Sequence, residues 1–542
     1  MTAAGPSGYE SPAMERTGRP TRVVVVGAGP GGLAAAINLA GLGLDVTVVE
    51  KDAVPGGRMK GLILGERSEY ALDTGPSILQ LPGVLERIFE RSGKRLQDYV
   101  TLVPVDPNTR VHFWDGTQLE TSQRRERLEA SLAKLDRRLP MAMRRWMELS
   151  RDKYAIAYEK FMATPAGSLG YYAPWRLLPT LRFKPWQSLH SHLDEHFHDD
   201  RVTYALAYPS KYLGLHPTTC SSVFSVIPFL ELAFGVWHVQ GGFRTLARGM
   251  QRCAEDLGAR FRFGSPVRKV WIDAAHARGV ELAGGERVEA DAVVVNADLP
   301  YAATRLVAPE WREGTRLSDR VLEASRYSCS TFMLYLGLDR RWDNLPHHLV
   351  YLSNNARRTD AASLDDRFVD EDDPPFYVCN PCATDPSGAP PGHSTLSVLV
   401  PTPNTGQAVD WARTERVLAE RVPGWLSKVG LPDVARHIRA SRTFTAETWR
   451  DDFNVFRGAV FNLAHGWLQL GPLRPKVKSP DVEGLYWVGG GTHPGSGLLT
   501  IMESANIAAD YLAKATGRDG LPGWPYVPPA PALDAPASHR AA

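Results

Sequence analysis

Arg22-Val23-Val24-Val25-Val26-Gly27-Ala28-Gly29-Pro30-Gly31-Gly32 opens the ordered part of the sequence, and Asp45-Val46-Thr47-Val48-Val49-Glu50 follows it. The continuous β-branched run from Val23 to Val26, ending at a glycine, is the pattern of a central parallel strand buried on both faces. Gly27, Gly29 and Gly32 satisfy G-x-G-x-x-G, with a helix expected from about Pro30 to Gly41 and a second strand ending at Glu50. Gly27 allows the tight turn, Gly29 lets a pyrophosphate approach the backbone, and Gly32 allows close helix–sheet packing. The helix N-terminus offers a positive pole to phosphate. Glu50, 18 residues beyond Gly32, is placed to accept hydrogen bonds from a ribose diol. This unit predicts an α/β fold, a Rossmann-type doubly wound parallel sheet that binds a dinucleotide.

A chain of 542 residues exceeds the size of one core, so two interleaved lobes are expected. Apolar residues at 43% and charged residues at 23% describe an ordinary globular protein. The net charge of +2, from 62 basic and 60 acidic residues, provides no global field toward nucleic acid or anionic lipid. Five cysteines are few and odd in number, which argues for a reducing cytoplasm rather than a disulfide framework. Residues Met1 to Pro20 lack an apolar h-region, so a loose tail is expected there rather than an export signal. The apolar stretch Val23 to Val49 has the length of a membrane span, but its early glycines fit the βαβ reading instead.

Further along, Leu128, Leu132, Leu135, Leu139, Met143 and Trp146 recur at helical spacing, with Pro140 expected to split the stretch. Gly167 to Phe197, rich in Tyr, Trp, Leu, Pro, Arg and Lys, reads as a Pro-broken helical lid, with a membrane-docking face as the alternative. Ser265 to Asp273 and Arg278 to Leu282 read as hairpin strands, and Asp291 to Asn296 as a return to the buried sheet. Beyond Gly520 the Pro- and Ala-rich sequence is expected to be disordered. His190, His192, His196 and His198 read as a solvated, partly amphipathic face rather than a metal set. Cys379-Asn380-Pro381-Cys382 fits C-x-x-C but reads as small packing residues, not a redox pair.

Gly56-Gly57-Arg58 stands six to eight residues after Glu50. With that element the sequence resembles the flavin-dependent amine oxidase and phytoene desaturase superfamily, in which it lies along FAD with the arginine facing the pyrophosphate. The resemblance extends to Asp73-Thr74-Gly75-Pro76 near the flavin ring and to Val267, whose backbone would hold adenine. It narrows to carotenoid desaturases through Pro381 to Gly392 with Leu399 to Pro403, through Gly235 to Leu246, and through Gly484 to Gly497. In the last motif Gly489-Gly490-Gly491 permits backbone contact with ligand, and the helix after Gly497 would aim its N-terminus at the flavin. The cofactor residues implied are Gly27, Gly29, Gly32, Glu50, Gly56, Gly57, Arg58, Gly75, Val267, Gly490, Gly491, Gly497 and Met502. No catalytic acid or base and no metal ligand is assigned.

The resemblance implies an FAD-dependent desaturase that introduces C=C bonds into a long apolar polyene, phytoene-type or 1-hydroxylated, taken from a membrane surface. The aromatic residues Tyr171, Tyr172, Phe229, Phe234 and Trp237 are candidates for lining its channel. Asn108 and Thr109 stand where relatives often have an aromatic pair, which would favour a hydroxylated end group. An end-group or amine or porphyrinogen oxidase, and a prenyl-lipid carrier without redox chemistry, are the competing readings on this scaffold. The expected division is a flexible tail at 1–20, an FAD-binding domain at 21–120, 240–300 and 480–516, a substrate-binding and membrane-facing domain at 121–239 and 301–479, and a tail at 520–542. The expected location is the cytoplasm, peripheral to the inner face of the cell membrane. Nucleic acid is not expected as a partner, and the motifs do not select an oligomeric state.

Overall fold

A computed structural model describes residues 21–165, 181, 183–354 and 372–531. The expectations for the tail at 1–20 and for residues 167–180 and 182 of the lid segment, including Tyr171 and Tyr172, lie outside the described residues. The expected strand–helix–strand unit is present: strand β1 (Arg22–Val26), helix α1 (Pro30–Gly41) and strand β2 (Asp45–Val49). Strands β3 (Arg260–Arg262), β4 (Ala292–Val295) and β5 (Leu485–Trp487) complete a five-stranded sheet in the order β5-β4-β1-β2-β3, parallel throughout.

Because successive strand residues point to opposite faces, β1 serves two cores at once. Val23 and Val25 pack with the buried face of α1, while Val24 and Val26 pack with the helix Leu299–Leu306 and the antiparallel sheet Val267–Asp273, His276–Leu282 and Arg287–Glu289. On the first face α1 is joined by the helix Phe243–Asp256 and by helix α2 (Leu498–Ala515). Asn38 in α1 donates to the Asn506 side chain in α2 at 2.9 Å, and Asn506 in turn accepts from Arg91 at 3.1 Å and donates to Glu503 at 3.1 Å, so a buried polar network ties the two helices.

The second lobe is a seven-stranded sheet in the order Ile438–Phe444, Ser330–Leu338, Ser394–Thr402, Phe376–Cys379, His348–Leu352, Thr109–Phe113 and Gln118–Thr121. Phe332, Leu334, Leu336 and Leu338 face one core with the helix Trp411–Trp425, and Met333 and Tyr335 face the other beside Tyr70 and Trp449. Thr109–Phe113 pairs in parallel with His348–Leu352, so the chain has already left the nucleotide lobe well before the expected boundary at 120. The sequence between 101 and 121 alternates as any half-buried strand does, and nothing in that pattern says which sheet it joins.

The C-terminal expectation needs a second correction. Residues after Gly520 are not a free tail as far as 531: Leu521 is buried, Trp524 donates to Glu503 at 3.1 Å and Tyr154 donates to the Pro528 carbonyl at 2.7 Å. Pro-rich composition removes backbone donors but does not prevent an extended segment from docking through its few large apolar side chains. The helical stretch around Pro140 divides into Arg125–Leu135 and Leu139–Ala157, with Pro140 in the first turn of the second helix, where its missing N–H costs nothing. Among the described residues no helix is long and apolar enough to cross a membrane.

Candidate active site

A single cavity of about 990 Å³ runs between the two lobes, and its wall includes Gly27, Gly29, Glu50, Gly57, Arg58, Gly75, Val267, Gly490, Gly491 and Gly497. Residues from five distant parts of the sequence therefore meet on one surface. Gly32, Gly56 and Met502 are not on that wall. Gly32 acts from behind: a Cβ there would lie 2.0 Å from the Gly27 carbonyl oxygen, so only glycine lets α1 close against the loop. Gly56 caps the short turn Gly57–Met59 and donates its N–H to the Ala28 carbonyl at 2.8 Å. Met502 is buried in the core.

Glu50 is only 5% exposed, and its two carboxylate oxygens accept the N–H of Ala28 at 2.7 Å and of Asp52 at 2.9 Å. Burial pushes its pKa up, and the two backbone hydrogen bonds oppose that shift. The carboxylate is thus fixed to the glycine loop and lies on the cavity wall. Arg58 donates to the Val460 carbonyl and lies 3.9 Å from Asp298. Burial pulls its pKa down, and Asp298 counters this. Asp298 itself accepts from Phe456 N–H at 3.1 Å and from the Asn462 amide at 2.6 Å, tying the arginine to the loop around residue 460.

The third resemblance element is fixed on the second. Thr74 donates to the Arg58 carbonyl at 2.7 Å, and a Cβ on Gly75 would come within 2.5 Å of that same oxygen. Asp73 accepts the Phe243 N–H at 2.8 Å and Asp385 accepts the Gly241 N–H at 2.6 Å, so two acids hold the two ends of the Gly241-Gly242 turn. Burial raises the Asp73 carboxyl to about 7. The C-terminal glycine loop is held by Arg474, which donates to the carbonyls of Gly490 at 2.6 Å, Thr492 at 3.0 Å, Gln469 at 3.1 Å and Leu463 at 3.3 Å. Desolvation lowers the Arg474 pKa to about 9. Neither Asp298 nor Arg474 stands in a motif, and the sequence offers no signal for either.

Much of the remaining wall is apolar, with Tyr212, Phe224, Ile227, Leu230, Met333, Tyr377 and Leu399 among its residues. Of the expected channel aromatics in the described residues, Phe229, Phe234 and Trp237 are not on it; Phe229 is fully buried in the core. Asn108 and Thr109 are also buried away from the cavity, Asn108 donating to the Glu231 carbonyl at 2.7 Å, which removes the argument from them for a hydroxylated end group. His190 and His192 are buried rather than solvated, because the helix Leu189–Phe197 turns that side inward; His192 meets Lys153 at 2.7 Å.

The donor set fits a dinucleotide flavin: glycine-walled backbone for pyrophosphate, an anchored carboxylate for a diol, and a second glycine loop ending at the N-terminus of α2. The flavin-containing amine oxidoreductase family matches residues 30–513. The chain is 73% identical over 507 residues to an all-trans-zeta-carotene desaturase of Myxococcus xanthus, covering 94% of this chain and 96% of that one. It is 36% identical over 498 residues to a zeta-carotene-forming phytoene desaturase of the same organism, covering 91% and 93%. Among solved structures, a putrescine oxidase superposes with a TM-score of 0.59 at 18% identity over 91% of this chain and 99% of that one, a likeness of fold alone. The chain therefore belongs to the carotenoid desaturases of the flavin-containing amine oxidoreductase family, and it is an FAD-dependent oxidoreductase.

Proposed function

We propose that this enzyme desaturates an acyclic carotene, with a ζ-carotene-type polyene as its substrate. The observation that carries the reading is the continuity of one cavity: the same space is bounded by the glycine loops and by the apolar side chains of the second lobe. The name borne by the 73% identical relative favours all-trans-ζ-carotene over phytoene or a 1-hydroxycarotenoid. We infer that Gly27, Gly29 and Arg58 hold the pyrophosphate, Glu50 the ribose diol, Val267 the adenine, and Gly75, Gly490, Gly491 and Gly497 the flavin. Gly32 and Gly56 shape that cradle without touching the cofactor.

When bound, FAD supplies a two-electron acceptor for hydrogen removed from the substrate. The chain's own part is to bind and align. Tyr212, Ile227, Met333 and Leu399 present apolar surface that excludes water and holds two adjacent saturated carbons in a fixed orientation. Charge that develops at an allylic carbon is delocalised along the polyene, which lowers the demand for a strong protein base.

A membrane as the source of substrate is supported by large apolar side chains that both line the cavity and reach solvent. Leu181 is 48% and Trp467 58% exposed, and neighbouring Leu468 is 78% exposed. Such residues at a cavity mouth suit a peripheral contact with lipid. The test is to incubate FAD-loaded protein in liposomes with ζ-carotene, phytoene and a 1-hydroxycarotenoid and to read conjugation by absorption and mass. Longer conjugation from ζ-carotene is expected. No gain with any of the three, alongside oxidation of an amine, would overturn the reading.

A further inference from the structure

Cys379-Asn380-Pro381-Cys382 is a motif that the flavin site does not use: neither cysteine lines the cavity. The strand His348–Leu352 pairs antiparallel with Phe376–Cys379, which sets His348 directly opposite Cys379. His347, His348 and Cys379 each offer one ligand atom, and these atoms lie within 4.8 Å of one another. All three residues are buried, at 2%, 0% and 6% exposure. Cys382, three residues further on, is buried at 2%.

A second observation is independent of that proximity. His348 Nδ1 is engaged with the Tyr377 hydroxyl at 2.7 Å, but its buried Nε2 has no hydrogen-bond partner. An orphaned buried nitrogen costs about 1–3 kcal/mol, which makes a histidine with nothing to bind a poor choice for this position. His347 Nδ1 is engaged with the Thr384 hydroxyl at 2.9 Å. Each imidazole is thus oriented through one nitrogen while the other remains as a donor atom, as in histidines bound to metals.

We propose that His347, His348 and Cys379 bind one divalent cation of the zinc class. Zn–N and Zn–S bonds of about 2.0–2.3 Å place tetrahedral donors roughly 3.4–3.8 Å apart. Closing from 4.8 Å therefore takes about 1 Å, within the reach of side-chain rotation. Binding expels the Cys379 thiol proton to solvent as the S–metal bond forms.

The site is structural. It joins two strands of the seven-stranded sheet to the loop that carries Asp385, the clamp on the Gly241 turn, and it sits behind Tyr377, whose other side faces the cavity. It does not depend on the identity of the substrate.

The experiment uses the FAD-loaded full-length protein, equilibrated with ZnCl2, desalted and assayed by elemental analysis, and in parallel loaded with CoCl2. One zinc per chain is expected, together with a near-ultraviolet thiolate-to-cobalt charge-transfer band. Cys379→Ser and His348→Gln should each reduce zinc retention at least tenfold and abolish the band, whereas Cys253→Ser should leave both intact. Wild-type protein that retains no zinc, or binds cobalt without a thiolate band, overturns the proposal, as does undiminished zinc in Cys379→Ser and His348→Gln. Should those variants fail to fold, the wild-type zinc content and cobalt spectrum decide the matter.

Discussion

The two walls of the cavity are made in different ways. Toward the five-stranded sheet the surface is mostly backbone, exposed by Gly27, Gly29, Gly57, Gly490 and Gly491; toward the seven-stranded sheet it is side chain, from residues such as Ile227, Met333 and Leu399. On the first wall the tolerance at each position is set by backbone clearance, so one methyl group is decisive. On the second it is set by volume and polarity, and many apolar residues satisfy it. Changes on the first should therefore act on flavin, and changes on the second on stability and substrate fit.

The severest test of this contrast is Gly32→Ala. With a Cβ 2.0 Å from the Gly27 oxygen, α1 cannot keep its place against the loop, and loss of bound flavin is expected, together with about 1–3 kcal/mol of destabilisation from overpacking. Flavin absorbance of the purified variant reads the outcome. Normal flavin content would mean that the loop has more freedom than its packing implies. Behind the second wall, Leu336→Ala removes a fully buried side chain from the face of the seven-stranded sheet that packs on the helix Trp411–Trp425, and it should cost about 2–5 kcal/mol in denaturant unfolding while leaving flavin content unchanged. Flavin lost in proportion to stability would collapse the distinction between the walls.

Glu231 is the polar exception behind the apolar wall. It is fully enclosed, accepts from Gln80 at 3.0 Å and from the Tyr212 hydroxyl, and burial raises its carboxyl to about 8. A carboxyl with a folded pKa above its unfolded value binds more protons when folded, so its contribution is present at low pH and is lost as pH rises from about 4.5 toward about 8. The denaturation midpoint of the wild type should fall over that window by the equivalent of a few kcal/mol at most, on the order set by 1.4 kcal/mol per pKa unit. Glu231→Gln should flatten the slope. A parallel slope in both proteins would assign the pH dependence elsewhere.

The same contrast explains what could be read from the sequence. The βαβ unit and the three glycine elements were legible because their backbone geometry restricts the residue type, and Gly27, Gly29, Gly57 and Gly490 do lie on one wall. The channel aromatics were not legible. Phe229 and Phe224 are the same residue type a few positions apart, yet one is core and the other wall, since burial and lining make identical demands on composition. Arg474 and Asp298 escaped for a different reason: each takes its role mainly from carbonyls or loops more than ten residues away, and no local pattern marks a residue that is fixed by long-range partners. The docking of Leu521 to Pro528 was likewise hidden by a composition that suits loose tails.

Glu50 is where the backbone wall depends on a side chain, and it gives the smallest and sharpest prediction. Its two oxygens already accept the Ala28 and Asp52 N–H groups, so the carboxylate both braces the loop and, on the proposed reading, receives the ribose diol. Glu50→Gln preserves shape but turns one acceptor into an NH2 group facing a donor, leaving a hydrogen bond unmade at a cost of about 1–2 kcal/mol. FAD retention in equilibrium dialysis should weaken by about tenfold, with less change in unfolding midpoint than for Leu336→Ala. If stability falls and flavin affinity does not, Glu50 braces the loop without touching the cofactor. If affinity falls alone, the ribose contact is its principal work, and the backbone wall needs this one side chain to hold its ligand.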